Sequence, residues 1–121
     1  MSKGLLVIDN GFVEYVLECL APLGGMRAKK MFGGYGIYKK DTIFGLIADD
    51  ILYFKIDDSN RADYEAFGSK PFTYEGKNNK QVSMSYWQLP IDILEKHEQL
   101  ELWVNKALKA SLASKKPKKL S

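Results

Sequence analysis

The sequence contains only one cysteine, Cys19, and one histidine, His97, among 121 residues. A single cysteine excludes an intramolecular disulfide and suits a reducing compartment. Zinc sites and nucleophile–base pairs need several such side chains together, so we predict neither a metal site nor a catalytic site. We interpret Cys19, beside the apolar face of a predicted helix, as a small buried hydrophobe. His97, among charged neighbours, is expected to be exposed.

Long hydrophobic runs are also missing. The longest near the amino terminus, Leu5 to Ile8, is too short for a signal-peptide core or a membrane span. The length fits one domain, and the sequence shows no internal repeat. We therefore expect a cytoplasmic protein with no membrane partner and no cofactor.

Basic residues are scarce in the body of the chain relative to its end. The net charge is +3, and without the four lysines of the last seven residues the remainder carries −1. A nucleic-acid-binding face needs Lys and Arg across the domain. We predict a domain over residues 1–113 and a flexible basic tail over 114–121 that binds nucleic acid weakly and non-specifically. The candidate nucleic-acid contacts are Arg27, Lys29, Lys115, Lys116, Lys118 and Lys119.

Apolar residues at helical spacing predict three helical regions. The first begins at a cap formed by Asp9 or Asn10 and ends near Leu20, before a Pro and Gly segment. The second is short, begins within residues 57–60 and ends at Gly68. Pro90 opens the last region, whose apolar stripe extends to about residue 112.

Alternating apolar residues predict strands between these helices. Three occupy Ala28–Tyr38, Thr42–Ala48 and Ile51–Ile56, and a second hairpin combines Pro71–Tyr74 with Val82–Trp87. Hairpin-connected strands with segregated helices favour the α+β class. We predict an antiparallel sheet of about five strands with flanking helices, in the order α-βββ-α-ββ-α(α).

A glycine cluster follows Lys29 and Lys30 and permits two interpretations. Backbone amides there could hold a phosphate, but no helix begins after the glycines and no nucleotide-loop spacing is present. A bend or bulge in the strand explains the glycines better. The candidate structural or binding motif comprises Lys30, Phe32, Gly33, Gly34, Tyr35 and Gly36.

Two pairs of carboxylates are candidates for acid–base chemistry. Asp49 and Asp50 lie where a tight turn is needed, and Asp57 and Asp58 lie where a helix begins. Turn and cap roles explain both pairs, so we assign no catalytic residue.

Apolar residues occupy both faces of the predicted sheet, which implies that helices or a partner cover at least one face. We single out Ile51, Tyr53, Tyr86 and Trp87 as a candidate protein-contact patch, and a twofold homodimer is one way to bury it. Stacking of the aromatic residues on nucleic-acid bases would need basic neighbours, and few of them have any in sequence.

Several segments, in order and over about residues 10–112, resemble the TfoX (Sxy) amino-terminal domain, a competence-regulator family. They are Lys30–Tyr38, Leu46–Lys55, Pro71–Tyr74, Met84–Pro90 and Leu100–Ala110. The resemblance implies an α+β fold related to secretion chaperones and a role in regulating competence genes. Fuller members look like coactivators of a cyclic-AMP-responsive transcription factor and carry a second, helical domain. The family offers no catalytic residues.

We therefore expect a non-enzymatic regulatory binding module that acts on transcription through a protein partner. A chaperone-like or scaffold dimer that binds peptides is one alternative. A small-ligand-binding or enzymatic domain is another.

Overall fold

The computed structural model describes residues 11–31, 33–76, 78 and 80–115, with the backbone alone for 81–83 and 115. Six strands and four helices are present among these residues. The helices are α1 (Gly11–Leu20), α2 (Arg61–Ala66), α3 (Ile91–Leu94) and α4 (His97–Lys115). The strands are β1 (Met26–Met31), β2 (Gly34–Lys39), β3 (Thr42–Ala48), β4 (Ile51–Lys55), β5 (Pro71–Glu75) and β6 (Gln81–Gln88).

The strands form one antiparallel sheet in the order β1-β2-β3-β4-β6-β5. The predicted α+β class is confirmed. The sheet has six strands because a turn at Gly33, whose φ is +80°, divides the predicted strand 28–38 into β1 and β2. Few residues other than glycine adopt that backbone conformation without strain.

One core lies between the sheet and the four helices. Helical spacing predicts that Val13, Val16, Leu17 and Leu20 share one buried face of α1. Val13, Val16 and Leu20 are buried, and Leu17 is partly buried against the same core. Leu52 and Phe54 on alternate positions of β4 are buried against this helical layer. The intervening residues of each strand therefore point to the opposite face of the sheet.

A bulge in β3 adds a large aromatic ring to this core. Ile37 pairs with Gly45 and Tyr38 pairs with Ile43, so Phe44 has no partner on β2. The Phe44 ring is fully buried and meets Phe54 edge-on at 5.3 Å. Two consecutive residues, Phe44 and Gly45, can thus face the helices.

The segment before α2 is held by side-chain hydrogen bonds. The buried Asn60 side chain accepts a bond from the Asp57 amide at 2.8 Å and donates one to the Lys55 carbonyl at 3.2 Å. Asp57 accepts bonds from the amide and hydroxyl of Ser59. These bonds lower the pKa of the Asp57 carboxyl.

The two chain ends are described in part. The predicted capping residues Asp9 and Asn10 lie outside the described residues. Helix α4 continues through Ser114 to Lys115, and the tail residues Lys116, Lys118 and Lys119 also lie outside them. In the described part of the chain, no helix combines the length and apolar character needed to cross a membrane.

Candidate interaction surface

One face of the sheet, which we call the open face, is turned away from the helical layer. Strand register assigns its members, because directly paired residues share a face. Leu46 pairs with Tyr53, and Lys55 pairs with Tyr86, all on this side. Apart from glycines, the open-face strand residues whose side chains are described are Arg27, Lys29, Met31, Tyr38, Ile43, Leu46, Ala48, Ile51, Tyr53, Lys55, Phe72, Tyr74, Met84, Tyr86 and Gln88.

The middle of the open face is an apolar depression of about 230 Å³. Met31 and Leu46 line one part of it, and Phe72, Met84 and Tyr86 line another. Met84 is 36% exposed although it lies on a strand in the interior of the sheet. Thioether and aliphatic side chains form a surface that adapts to different apolar partners.

Aromatic rings extend the depression toward the β5 edge. Tyr53 meets Phe72 edge-on at 4.9 Å, and Phe72 is roughly parallel to Tyr74 at 6.5 Å. Partial burial raises the pKa of the Tyr53 hydroxyl, and the negative charge of Asp49 raises it further. Tyr74 is 47% exposed, so this aromatic row ends in an accessible ring.

Cations stand at the margins of the open face. The Arg27 guanidinium lies 4.8 Å from the centre of the Tyr38 ring. The Lys55 ammonium lies 5.2 Å from the centre of the Tyr86 ring and donates a hydrogen bond to Ser85 at 2.8 Å. Partial burial lowers the pKa of Lys55, and the Asp57 charge opposes this shift.

Neither Arg27 nor Lys55 forms a salt bridge with another described residue. Among the described residues, salt bridges within 4.0 Å join only Arg61 to Asp58 and Lys106 to Asp63. Among the described strand residues, no Asp or Glu lies on the open face. The face therefore combines an apolar centre with positive charge that no salt bridge in the described chain neutralises, although the Asp57 charge acts on Lys55.

The family model for the TfoX N-terminal domain matches residues 18–111, which is most of the chain and contains every strand of the sheet. The chain belongs to the TfoX N-terminal domain family. No curated protein matches it. The open face is thus a surface of the TfoX N-terminal domain itself.

The structure divides the predicted contact patch of this TfoX N-terminal domain. Ile51, Tyr53 and Tyr86 lie on the open face. Trp87 pairs with Phe54 and packs against the core on the helical side, so it does not belong with the other three. The prediction placed neighbours in sequence together, although neighbours on a strand face opposite sides.

The predicted glycine motif is a hairpin rather than a loop before a helix. Gly33 and Gly34 connect β1 to β2, and Lys30 pairs with Tyr35 across that hairpin. Gly36 lies on the open face, where a Cβ would stand 2.7 Å from the Met31 sulfur. Phe32 lies outside the described residues. The carboxylates Asp49 and Asp50 form the β3–β4 turn, both at positive φ.

The TfoX N-terminal domain has a second depression where α1 meets the joint between α3 and α4. Tyr15, Cys19, Glu95 and His97 are among its lining residues. The Tyr15 hydroxyl donates a 2.5 Å hydrogen bond to Glu95, which raises the pKa of Tyr15, and desolvation and Cys19 raise it further. No group of three metal-ligating side chains occurs among the described residues. The sequence did not predict this contact, because Tyr15 and Glu95 are 80 positions apart.

Sequence reasoning also missed most of the open face. Met31, Leu46, Phe72 and Met84 were not singled out, although each alternates with residues that face the helices. The alternation was a usable signal for which residues share a face. It did not show which of the two faces the helices cover.

Proposed function

We propose that this TfoX N-terminal domain is a non-enzymatic regulatory module that binds a protein partner through its open face. It acts in the cytoplasm as a regulator or coactivator of transcription, in keeping with its family. The observation that carries the proposal is the uncovered apolar centre of the sheet. Contiguous exposed apolar surface on a small domain marks an interaction site.

The shape of the open face favours a macromolecule over a small ligand. Pockets for small ligands enclose about 300–1,000 Å³ and bury most of the ligand. The depression here is smaller, at about 230 Å³, and its lining residue Phe72 continues it into the Tyr53–Phe72–Tyr74 row. A broad protein surface matches this shape better than a compact metabolite.

Site-specific photo-crosslinking tests this proposal. A benzophenone amino acid replaces Met84 on the open face, and a control variant carries it in place of Leu102, which is 60% exposed on α4. In living cells we expect adducts at position 84 that resist nuclease and are destroyed by protease, with few at position 102. Adducts at position 84 that disappear with nuclease, or equal protein labelling at both positions, would contradict the proposal.

A further inference from the structure

The open face holds positive charge that forms no salt bridge among the described residues, and this charge lies beside an apolar floor, so the two together indicate the chemistry of a partner. Arg27 and Lys29 lie on β1, at one edge of the sheet, and Lys55 lies on β4. Charge depletion at the centre and charge at the rim is the usual arrangement of a protein interface. Complementary charge on the partner steers association and selects against wrong partners.

From this arrangement we infer that the open face binds an acidic amphipathic helix of a partner protein, with its apolar side over Leu46 and Met84 and its carboxylates toward Arg27, Lys29 and Lys55. The inference rests on the proposed function, because it names the chemistry of the protein that the open face recognises. It adds a charge preference and a shape, which the proposed function does not require.

The size of the face fits one helix. Six strands about 4.8 Å apart and roughly six residues long cover on the order of 600 Å². A standard protein interface buries about 800 Å² on each partner, so the open face is somewhat smaller than one side of such an interface. A helix of about 15 residues is about 22 Å long, which is close to the dimensions of the sheet.

A second copy of the chain is a poorer occupant on grounds of charge. Two open faces packed together would bring Arg27, Lys29 and Lys55 from both copies into one interface. At its described strand positions the open face carries no carboxylate, so those positions of a second copy offer these cations no acidic partner. Unpaired buried charge opposes association.

Nucleic acid is also a poorer occupant, although the face has both aromatic rings and cations. Tyr86 is 8% exposed, and Tyr53 and Phe72 pack against each other, so Tyr74 is the accessible ring of the aromatic row. Base stacking needs free ring faces. Aliphatic and thioether side chains occupy the centre instead, where Leu46 and Met84 lie.

Fluorescence anisotropy with three labelled 18-residue peptides tests the inference on the full chain. The first peptide is an amphipathic helix with a leucine stripe and glutamates elsewhere, and the second replaces the glutamates with lysines. The third scrambles the first so that the stripe is lost. We expect the acidic amphipathic peptide to bind at least about tenfold more tightly than either of the others.

Variants then locate the binding. R27E/K29E is expected to weaken binding of the acidic peptide about tenfold and to strengthen binding of the basic peptide above the wild-type value. M84E is expected to weaken acidic-peptide binding by a similar factor. The matched control, K109E, reverses an exposed charge on α4 and should leave both affinities unchanged. A gain for the basic peptide cannot result from misfolding.

Four results would overturn the inference. Equal affinity for acidic and basic peptides removes the charge preference but leaves protein binding by the open face in place. Failure of every peptide to bind rejects the acidic helix as the partner. It leaves protein binding by the open face in place, because the crosslink at position 84 tests the proposed function separately. Tight binding of a labelled 20-nucleotide oligo(dT), lost in R27E/K29E, makes the face a nucleic-acid site and ends both proposals. Sedimentation that shows a dimer, abolished by M84E, assigns the face to a second copy.

Discussion

Gly34 lies against the backbone of Ile47, so close that a Cβ on Gly34 would stand 2.3 Å from the Ile47 carbonyl oxygen. The two residues belong to β2 and β3, at the end of the sheet where Gly33 turns the chain. Backbone cannot move aside as the tip of a side chain can. The glycine pair therefore supports the hairpin for two separate reasons, positive φ at Gly33 and close approach at Gly34.

Gly34→Ala is accordingly expected to destabilise the protein more than substitutions at the other two glycines. Overpacking against backbone costs about 3 kcal/mol, and Gly33→Ala costs about 1 kcal/mol through its positive φ. Gly36→Ala should cost less than Gly34→Ala, because the new Cβ would meet the side chains of Met31, Ile43 and Tyr38 at 2.7, 3.0 and 3.2 Å, and side chains can move further than backbone. Urea unfolding of the three variants measures this order. Equal stability of all three variants and the wild type would revive the ligand-loop interpretation.

Asn60 is a second position where a small change should have a large effect. Asn60→Ala leaves the Asp57 amide and the Lys55 carbonyl without their side-chain partner, at a cost of about 2 kcal/mol. Asp58→Ala is the matched control, since the Asp58 side chain is 92% exposed and its ion pair with Arg61 contributes little. Urea unfolding midpoints should separate the two variants. A midpoint for Asn60→Ala equal to that for Asp58→Ala would count against this account.

Tyr64 carries a buried hydroxyl that has no hydrogen-bond partner among the described residues. Its ring packs against Trp103 at 4.6 Å and is 1% exposed. Tyr64→Phe keeps the ring and removes the unsatisfied group, so we expect unchanged stability or a gain of up to about 1 kcal/mol. Thermal unfolding of the wild type and of Tyr64→Phe measures the difference in stability. A loss above 1 kcal/mol would mean that the hydroxyl has a partner in solution.

The same hydroxyl predicts how stability responds to alkaline pH. Burial raises the pKa of Tyr64 well above its ordinary value near 10. Above pH 10 the unfolded chain loses this proton while the folded protein keeps it, so the free energy of unfolding falls as the pH rises. Urea unfolding between pH 8 and 11 should show a smaller decline for Tyr64→Phe than for the wild type. Parallel declines would show that Tyr64 ionises equally in both states.

The depression that contains Tyr15 offers a test of whether the domain acts without catalysis, as the proposed function states. Cys19→Ala and His97→Gln remove its thiol and imidazole. We expect both variants to retain the crosslink at position 84 and the regulatory activity of the domain in a transcriptional reporter assay. Loss of reporter activity in both variants, with the crosslink and thermal stability intact, would point to chemistry in this depression.

The sequence by itself determined the class of the protein and the order of its elements. Helical spacing placed Val13, Val16, Leu17 and Leu20 on one face, of which only Leu17 is partly rather than fully buried. Alternation placed Leu52 and Phe54 together, because both periodicities follow from local backbone geometry. The turn at Asp49 and Asp50 was also readable, since short polar side chains tolerate positive φ. The resemblance to the TfoX N-terminal domain extended the predicted fold class to the whole domain.

Tertiary structure alone decided which face of the sheet stays uncovered and what gathers on it. Arg27, Tyr53 and Met84 are distant in sequence, and only the strand order brings them onto one surface. The net charge of the chain did not show that cations gather on this surface, because a net charge does not tell where the individual charges lie in the fold. Alternation along β6 already separates Trp87 from Tyr86, but only the packing of the helices decided that the side with Trp87 is the covered one. Whether a strand residue meets helix or solvent depends on where the helices pack, and that is a property of the assembled fold.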